Sequence, residues 1–207
     1  MEGKEYHDKA LIIYTKIFGE ENAHVASSYN NLGSDYRHLG KYDEAKEYHK
    51  KALIIYKKIF GEEHANIASS YNNLGNDYHY LGQYNEAKEY HEKAMIIKKK
   101  IFGEEHANVA LSYNNLGNDY QHLGQYYEAR EYFEKALIIK KNIFAEGHAD
   151  VASSYSNLRN CCHVLKQCSK GDECHENARE ILKVRNQTRK TGSTSLTSSK
   201  LPRLENC

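Results

Sequence analysis

The sequence predicts an all-α solenoid, in which antiparallel helix pairs stack along one axis and each pair buries its apolar face against the next. Three observations carry this prediction. The string YNNLGNDYHYLGQYNEAKEYHEKA (71–94) recurs with few changes before and after itself. Leu32, Leu74, Leu116 and Leu158 mark its phase at intervals of 42 residues, a period characteristic of stacked repeats. Within each period, apolar residues recur at the i, i+3, i+4, i+7 spacing of an amphipathic helix. The single proline of the 207 residues is Pro202, so nothing interrupts long helices.

Taken in order, residues 4–18 align in phase with Lys46 to Phe60. The array (1–184) therefore opens on a half repeat, 4–22, made of a second helix without its first. Its apolar face (Leu11, Ile12, Tyr14) should lack part of its cover. The first full repeat spans about 23–64. Its first helix carries Ala26, Tyr29, Leu32, Gly33, Tyr36 and Leu39 inward and stops at Gly40. Its second runs from about Tyr42 to Phe60 and closes at Gly61, with Ala45, Tyr48 or His49, Ala52, Ile55, Tyr56 and Ile59 inward. Asn66, Asn108 and Asp150 stand just before the next helical patterns, where a side-chain oxygen can cap orphan amides. The first repeat has His24 there, a poorer cap.

Gly33, Gly75 and Gly117 fall mid-helix, at a cost of about 1 kcal/mol each relative to Ala. This implies close approach of the paired helix at those points. The next repeats, about 65–106 and 107–148, are nearly identical: 61–102 and 103–144 differ at nine of 42 positions. The last, 149–184, is degenerate. Arg159 replaces the mid-helix Gly, Cys162 replaces Tyr, and Gly171 replaces Ala. Ala178 keeps the phase, so a final helix over about Asp172 to Val184 is expected. Residues 185–207 form a basic tail in which Ser and Thr make up eight of the last 22 residues, too polar to offset the entropy of ordering.

Composition narrows the function classes. Net charge is +1, so no general attraction to nucleic acid is expected. No apolar run reaches the ~18–20 residues of a membrane span, and the charged N-terminus lacks a secretory h-region. All five cysteines lie at or after Cys161, unlike a disulfide framework. A cytoplasmic setting is therefore expected. The 18 tyrosines supply large amphipathic rings for helix–helix seams.

The recurring residues Tyr71, Leu74, Gly75, Tyr78, Gly82, Tyr84, Ala87 and Ala94, with the linker Gly61-Glu62-Glu63-His64-Ala65-Asn66-Ile67-Ala68, resemble a tetratricopeptide repeat. The likeness is to the 42-residue kind of kinesin light chains and nephrocystin-like proteins. It covers roughly 4–184, and Ala65 stands where that family usually has Pro. The heptad coiled coil that joins kinesin light chains to their heavy chain is absent from the sequence, and so is a nucleotide-binding domain. The resemblance thus implies a right-handed superhelix with a binding role, and not a motor subunit.

In that family the first helix of each repeat lines the concave groove. Carried over, this places Asn30, Asn31, Ser34 and Arg37 in the groove, followed by Asn72, Asn73, Asn76 and His79. Asn114, Asn115, Asn118 and Gln121 come next, then Asn157 and Asn160. Carboxamides both donate and accept hydrogen bonds, so such a ladder suits the backbone of an extended peptide. The alternative for these residues is that they solvate the face or bridge neighbouring helices. A carboxylate clamp is not expected, because the corresponding places hold Ser, Asn and Leu111 and Arg37 is the lone strong cation.

No catalytic constellation can be nominated among the 12 histidines, and no cofactor is implied. His49 and His91 share the place of Phe133 and read as packing residues; His64, His106 and His148 fall in the loops. Cys161, Cys162, His163, Cys168, Cys174 and His175 offer zinc-ligand chemistry but match no paired Cys-x-x-Cys spacing, and a decayed repeat explains them better. The sequence therefore points to a non-enzymatic adaptor for a protein or peptide partner, without nucleic acid or membrane insertion. The alternative is a structural module that self-associates through the N-terminal half repeat.

Overall fold

The computed structural model describes residues 2–144, 148–166, 171, 176–179 and 181. Eight helices are described: α1 (Glu2–Phe18), α2 (Ala23–His38), α3 (Tyr42–Phe60), α4 (Ala65–Tyr80), α5 (Tyr84–Phe102), α6 (Ala107–His122), α7 (Tyr126–Ile143) and α8 (Ala149–Val164). Among the described residues there is no strand. Residues 176–179 are also helical, and Ala178 and Ile181 join the core formed by Ala129, Phe133, Val151 and Leu158. The rest of the expected final helix, and the tail from 185, lie outside the described residues.

Within a pair, the turn is made by glycine. Gly40, Gly82 and Gly124 adopt φ of +73°, +75° and +76°, a region open to Gly without a Cβ penalty. Behind each glycine the chain folds back, so that Lys41 N–H donates to Tyr36 O at 2.9 Å, and Gln83 and Gln125 repeat the bond. The fourth repeat has Lys166 in this place and holds it at φ +58°.

The helix starts differ from the expected caps. α4, α6 and α8 begin two residues early, and His64, His106 and His148 are the N-caps, each accepting through Nδ1 from the amide two residues on (3.2, 3.1 and 3.2 Å). Asn66, Asn108 and Asp150 supply that amide rather than the acceptor. The first repeat has the better cap, not the poorer one, because Asn22 occupies the His64 place and its Oδ1 accepts from His24 N–H at 2.9 Å. The cap histidines also stack on the phenylalanine ending the preceding pair: Phe60–His64 at 4.1 Å, Phe102–His106 at 4.7 Å and Phe144–His148 at 4.2 Å between centroids. An imidazole here thus joins two pairs as well as starting a helix.

The seam within each pair is built on the mid-helix glycines. A Cβ on Gly33 would lie 2.5 Å from the His49 ring, on Gly75 2.4 Å from His91, and on Gly117 2.5 Å from Phe133. The close approach that the sequence implied is therefore present, and it is an aromatic ring that fills the notch. Above it stack Tyr36–Tyr48, Tyr78–Tyr90 and Tyr120–Tyr132, with centroids 5.1–5.2 Å apart. Ala45, Ala52, Ala87, Ala94, Ala129 and Ala136 are fully buried between helices.

Two inward assignments do not hold. Leu39 is the C-cap of α2 and 50% exposed, and Ile59 is 40% exposed near the end of α3. Ile12 is exposed as expected, but the reason is not a missing neighbour: its counterparts Ile54, Ile96 and Ile138 are exposed too. The residues that do lose cover are Ile13, at 53% exposure where Ile97 and Ile139 are buried, and Tyr6, at 71% where Tyr48, Tyr90 and Tyr132 are half-buried. Leu11 and Tyr14 are half-buried.

Candidate functional site

The first helices of successive pairs, α2, α4, α6 and α8, carry the residues expected to line a groove. Part of the asparagine ladder is spent on joining the repeats. Asn73 Nδ2 donates to Asn30 Oδ1, and Asn115 Nδ2 to Asn72 Oδ1, both at 3.1 Å. Spacing of 43 residues, one more than the period, sets these rungs. The next rung is not made, and Asn114 Oδ1 is buried with no partner among the described residues. Asn157 is half-buried, while Asn31 and Asn160 are exposed. Ser34 Oγ turns back onto Asn30 O at 3.1 Å. Bridging between helices thus accounts for five of the carboxamides: four in these rungs and Asn76, which bonds His91 of α5.

Beneath this face lies a polar network absent from the sequence reading. Asp77 and Asp119 are fully buried, and a lone buried carboxylate is costly. Each is met from two sides. His49 Nδ1 donates to Asp77 Oδ2, and Arg37 Nη1 lies 3.5 Å from Asp77 Oδ1. His91 and His79 donate through Nδ1 to Asp119 at 2.5 and 2.6 Å. His7 donates to Asp35 at 2.6 Å in the same register. His49 and His91 are therefore seam residues as expected, and also hydrogen-bond donors that tie one pair to the next. In the fourth repeat this arrangement ends: Phe133 replaces the histidine, Cys161 the aspartate, and Gln121 Oε1 accepts from Cys161 Sγ at 3.7 Å.

The charge on this face also differs from expectation. Arg37 is not a free cation, being tied to Asp77 and, at 3.5 Å, to Asn73 O. Two lysines from the second helices reach the face instead. Lys98, only 7% exposed, donates from Nζ to Ser112 Oγ at 3.0 Å and Asn72 Oδ1 at 3.3 Å. Lys140, 8% exposed, donates to Ser154 Oγ at 3.0 Å and Asp150 O at 3.4 Å. Burial disfavours the ammonium form. It lowers the Lys98 pKa to about 8, and it lowers that of Lys140 against the opposing charge of Asp150. The phase held the signal: Lys98 and Lys140 fall 42 and 84 residues after Tyr56, which was read as inward.

Among the described residues, two cavities on this face lie between α4 and α6. The larger, about 250 Å³, is lined by the apolar Ala65, Ala68, Phe102 and Leu111 together with Asn72, Asn73, Asn108 and Lys98. The smaller, about 130 Å³, is polar and lined by Asn76, His79, Tyr80, His91, Asn115 and Asn118. His79 there meets His122 edge-on at 4.9 Å, and His91 Nε2 lies 3.2 Å from Asn76 Oδ1.

The zinc candidates do not converge where they are described. Cys161 and Cys162 are buried while His163 is exposed. Among the described residues no group of three metal-ligating side chains forms. Burial pushes the Cys161 thiol up to about 11, which opposes thiolate ligation. Cys168, Cys174 and His175 lie outside the described residues. No helix among the described residues is long and apolar enough to cross a membrane.

Stacked helix pairs with notched glycines and a polar inner face define a helical-repeat solenoid. The chain belongs to the tetratricopeptide repeat family, whose model, described as "Tetratricopeptide repeat", matches residues 1–53, 24–100, 67–121 and 108–183. It is of the kinesin light chain type. It resembles the nearly identical TPR-like repeats of a kinesin light chain-like protein from Podosopora anserina at 26% identity and a TM-score of 0.74, covering 93% of this chain and 89% of that one. BtubC (BKLC) from P. vanneervenii shares the fold at 23% identity and a TM-score of 0.81, over 100% of this chain and 80% of the other. MamA does so at 19% identity and 0.65, over 89% and 93%. No curated protein matches the chain. Tetratricopeptide repeats are in general protein-interaction modules, and folds of this kind are typically non-enzymatic scaffolds.

Proposed function

We propose that this protein is a non-enzymatic adaptor that binds an extended peptide segment of a partner protein along α2, α4, α6 and α8. One observation carries the reading. The two cavities sit at the same step of the stack and flank the Asn72–Asn115 rung, so both face a chain laid across α4 and α6. The larger takes a side chain with an apolar body and an acceptor at its tip. The smaller takes a polar group. Asn31, Asn118 and Asn160, which form no bridge among the described residues, keep their carboxamides for a peptide backbone. The rest of the ladder serves mainly to hold the repeats in register.

The test selects peptides from a random display library on the full chain and measures them by titration calorimetry. Leu111→Ser and Asn118→Ala alter cavity walls without touching a rung. Affinity should fall about tenfold for each, in line with the loss of one interface contact worth about 1–2 kcal/mol. Peptides that bind both variants as well as wild type would place the interaction elsewhere.

A second reading has its own observation. Tyr6 and Ile13 leave apolar surface open at the end of the array where their inner counterparts are covered. Stacking of two chains there predicts a dimer by sedimentation that Ile13→Glu abolishes. A monomer at all concentrations sinks that reading and leaves the adaptor reading standing.

A further inference from the structure

We propose that Lys98, which lines the larger cavity, is an acylation site: its amine takes the acyl group of a small acyl thioester. The geometry supplies three requirements. Lys98 lines the cavity despite its 7% exposure, and its Nζ lies 3.3 Å from Oδ1 of Asn72, another lining residue. Its partners, Ser112 Oγ and Asn72 Oδ1, are neutral, so no ion pair holds the proton. The product fits as well. A short acyl group can rest on Ala68, Phe102 and Leu111, its carbonyl can accept from an Asn73 or Asn108 carboxamide, and the new amide N–H can still donate to Ser112 Oγ. Conversion of a buried ammonium to a neutral amide also removes a charge that burial disfavours.

The step balances without a further reagent. The neutral Nζ attacks the thioester carbonyl, a C–N bond forms, the C–S bond breaks, and the thiol leaves with the proton lost from nitrogen. The neighbouring lysine provides the contrast. Lys99 lies 3.2 Å from Glu104, and its pKa is raised by a bond to Tyr113. Lys140 repeats the place of Lys98, but Asp150 opposes its deprotonation and neither described cavity reaches it. With a pKa of about 8, roughly a tenth of Lys98 is neutral at about pH 7, against roughly one part in 3,000 for a lysine of ordinary pKa. Lower basicity and narrow access return part of that advantage.

The chemistry does not depend on the cavity being a peptide site, so the two readings fail separately. The experiment treats the full chain with S-acetyl-N-acetylcysteamine to low conversion and reads acetylation at each lysine by peptide mass spectrometry. It is run folded and in concentrated urea, at neutral pH and at about pH 10. Folded at neutral pH, Lys98 should be acetylated about tenfold faster than Lys99, a lead that shrinks at about pH 10. The preference should vanish in urea. A folded-state rate at or below that of Lys99, or an equal preference in urea, overturns the proposal.

Discussion

The buried carboxylate of Asp119 makes the step between the second and third repeats the sharpest test of how this array holds together. The perturbation is His91→Phe, which installs the residue that the next repeat carries at Phe133. The ring volume is nearly conserved, and Gly75 still provides the notch. What is lost is the 2.5 Å donation to Asp119 Oδ2, leaving a fully buried carboxylate with His79 alone. Breaking a buried pair from one side costs about 3–5 kcal/mol, and the remaining His79 contact should hold the loss near the lower figure. Asp119→Cys, alone, orphans His91 and should cost about 1–3 kcal/mol. The double variant His91→Phe/Asp119→Cys recreates the Phe133–Cys161 pairing of the following step and should recover most of the loss. With about 1 kcal/mol of loss remaining in the double, the coupling energy of the cycle is about 3–5 kcal/mol. Urea unfolding followed by circular dichroism reads the cycle. Amide exchange on α4 and α6 localises it, because stability in a stack is a sum over neighbouring interfaces. Single variants within about 0.5 kcal/mol of wild type, or additive effects in the double, would refute the claim that these pairs bind repeat to repeat.

Three further outcomes are expected. His49 Nε2 is buried without a partner among the described residues, whereas its equivalent in His91 reaches Asn76. Ser34→Asn should supply the missing carboxamide and stabilise the array by about 1 kcal/mol in urea unfolding. Lys166 at φ +58° carries a left-handed penalty of roughly 1–2 kcal/mol, so Lys166→Gly should slow amide exchange in α8. Lys98 gives a pH signature. Its folded pKa of about 8 lies below the ordinary value of about 10.5, so the unfolded chain binds more protons between those values and stability rises with pH across that window. Lys98→Met should flatten that slope and raise stability at neutral pH by about 1–3 kcal/mol; an unchanged slope would show that Lys98 is not the group responsible.

Much of this protein is legible in its sequence, and the reason is repetition. Each 42-residue unit buries its face only against its neighbours, so local periodicity dictates the helix pairs, their order and the glycine turns. The family resemblance rested on the same residues. The notch at Gly33, Gly75 and Gly117 was legible because an unfavoured residue repeated mid-helix calls for a steric cause. The phase even held unread information: Asp77 stands three residues after Leu74, on the buried stripe, and Lys98 shares the phase of Tyr56.

What tertiary structure alone decided was the destination of polar side chains. A carboxamide on a first helix can face solvent, a ligand or the next helix. The offset between successive pairs turns Asn30 toward Asn73 and Asn72 toward Asn115. The same offset sets His91 and His79 on one aspartate. The loop histidines were equally ambiguous, since capping depends on backbone angles two residues wide, and the structure makes them both caps and stacking rings. Apolar burial follows from a pattern along one chain, but a hydrogen bond needs two groups brought within about 3 Å. The stacking of one repeat on the next is what sets that distance.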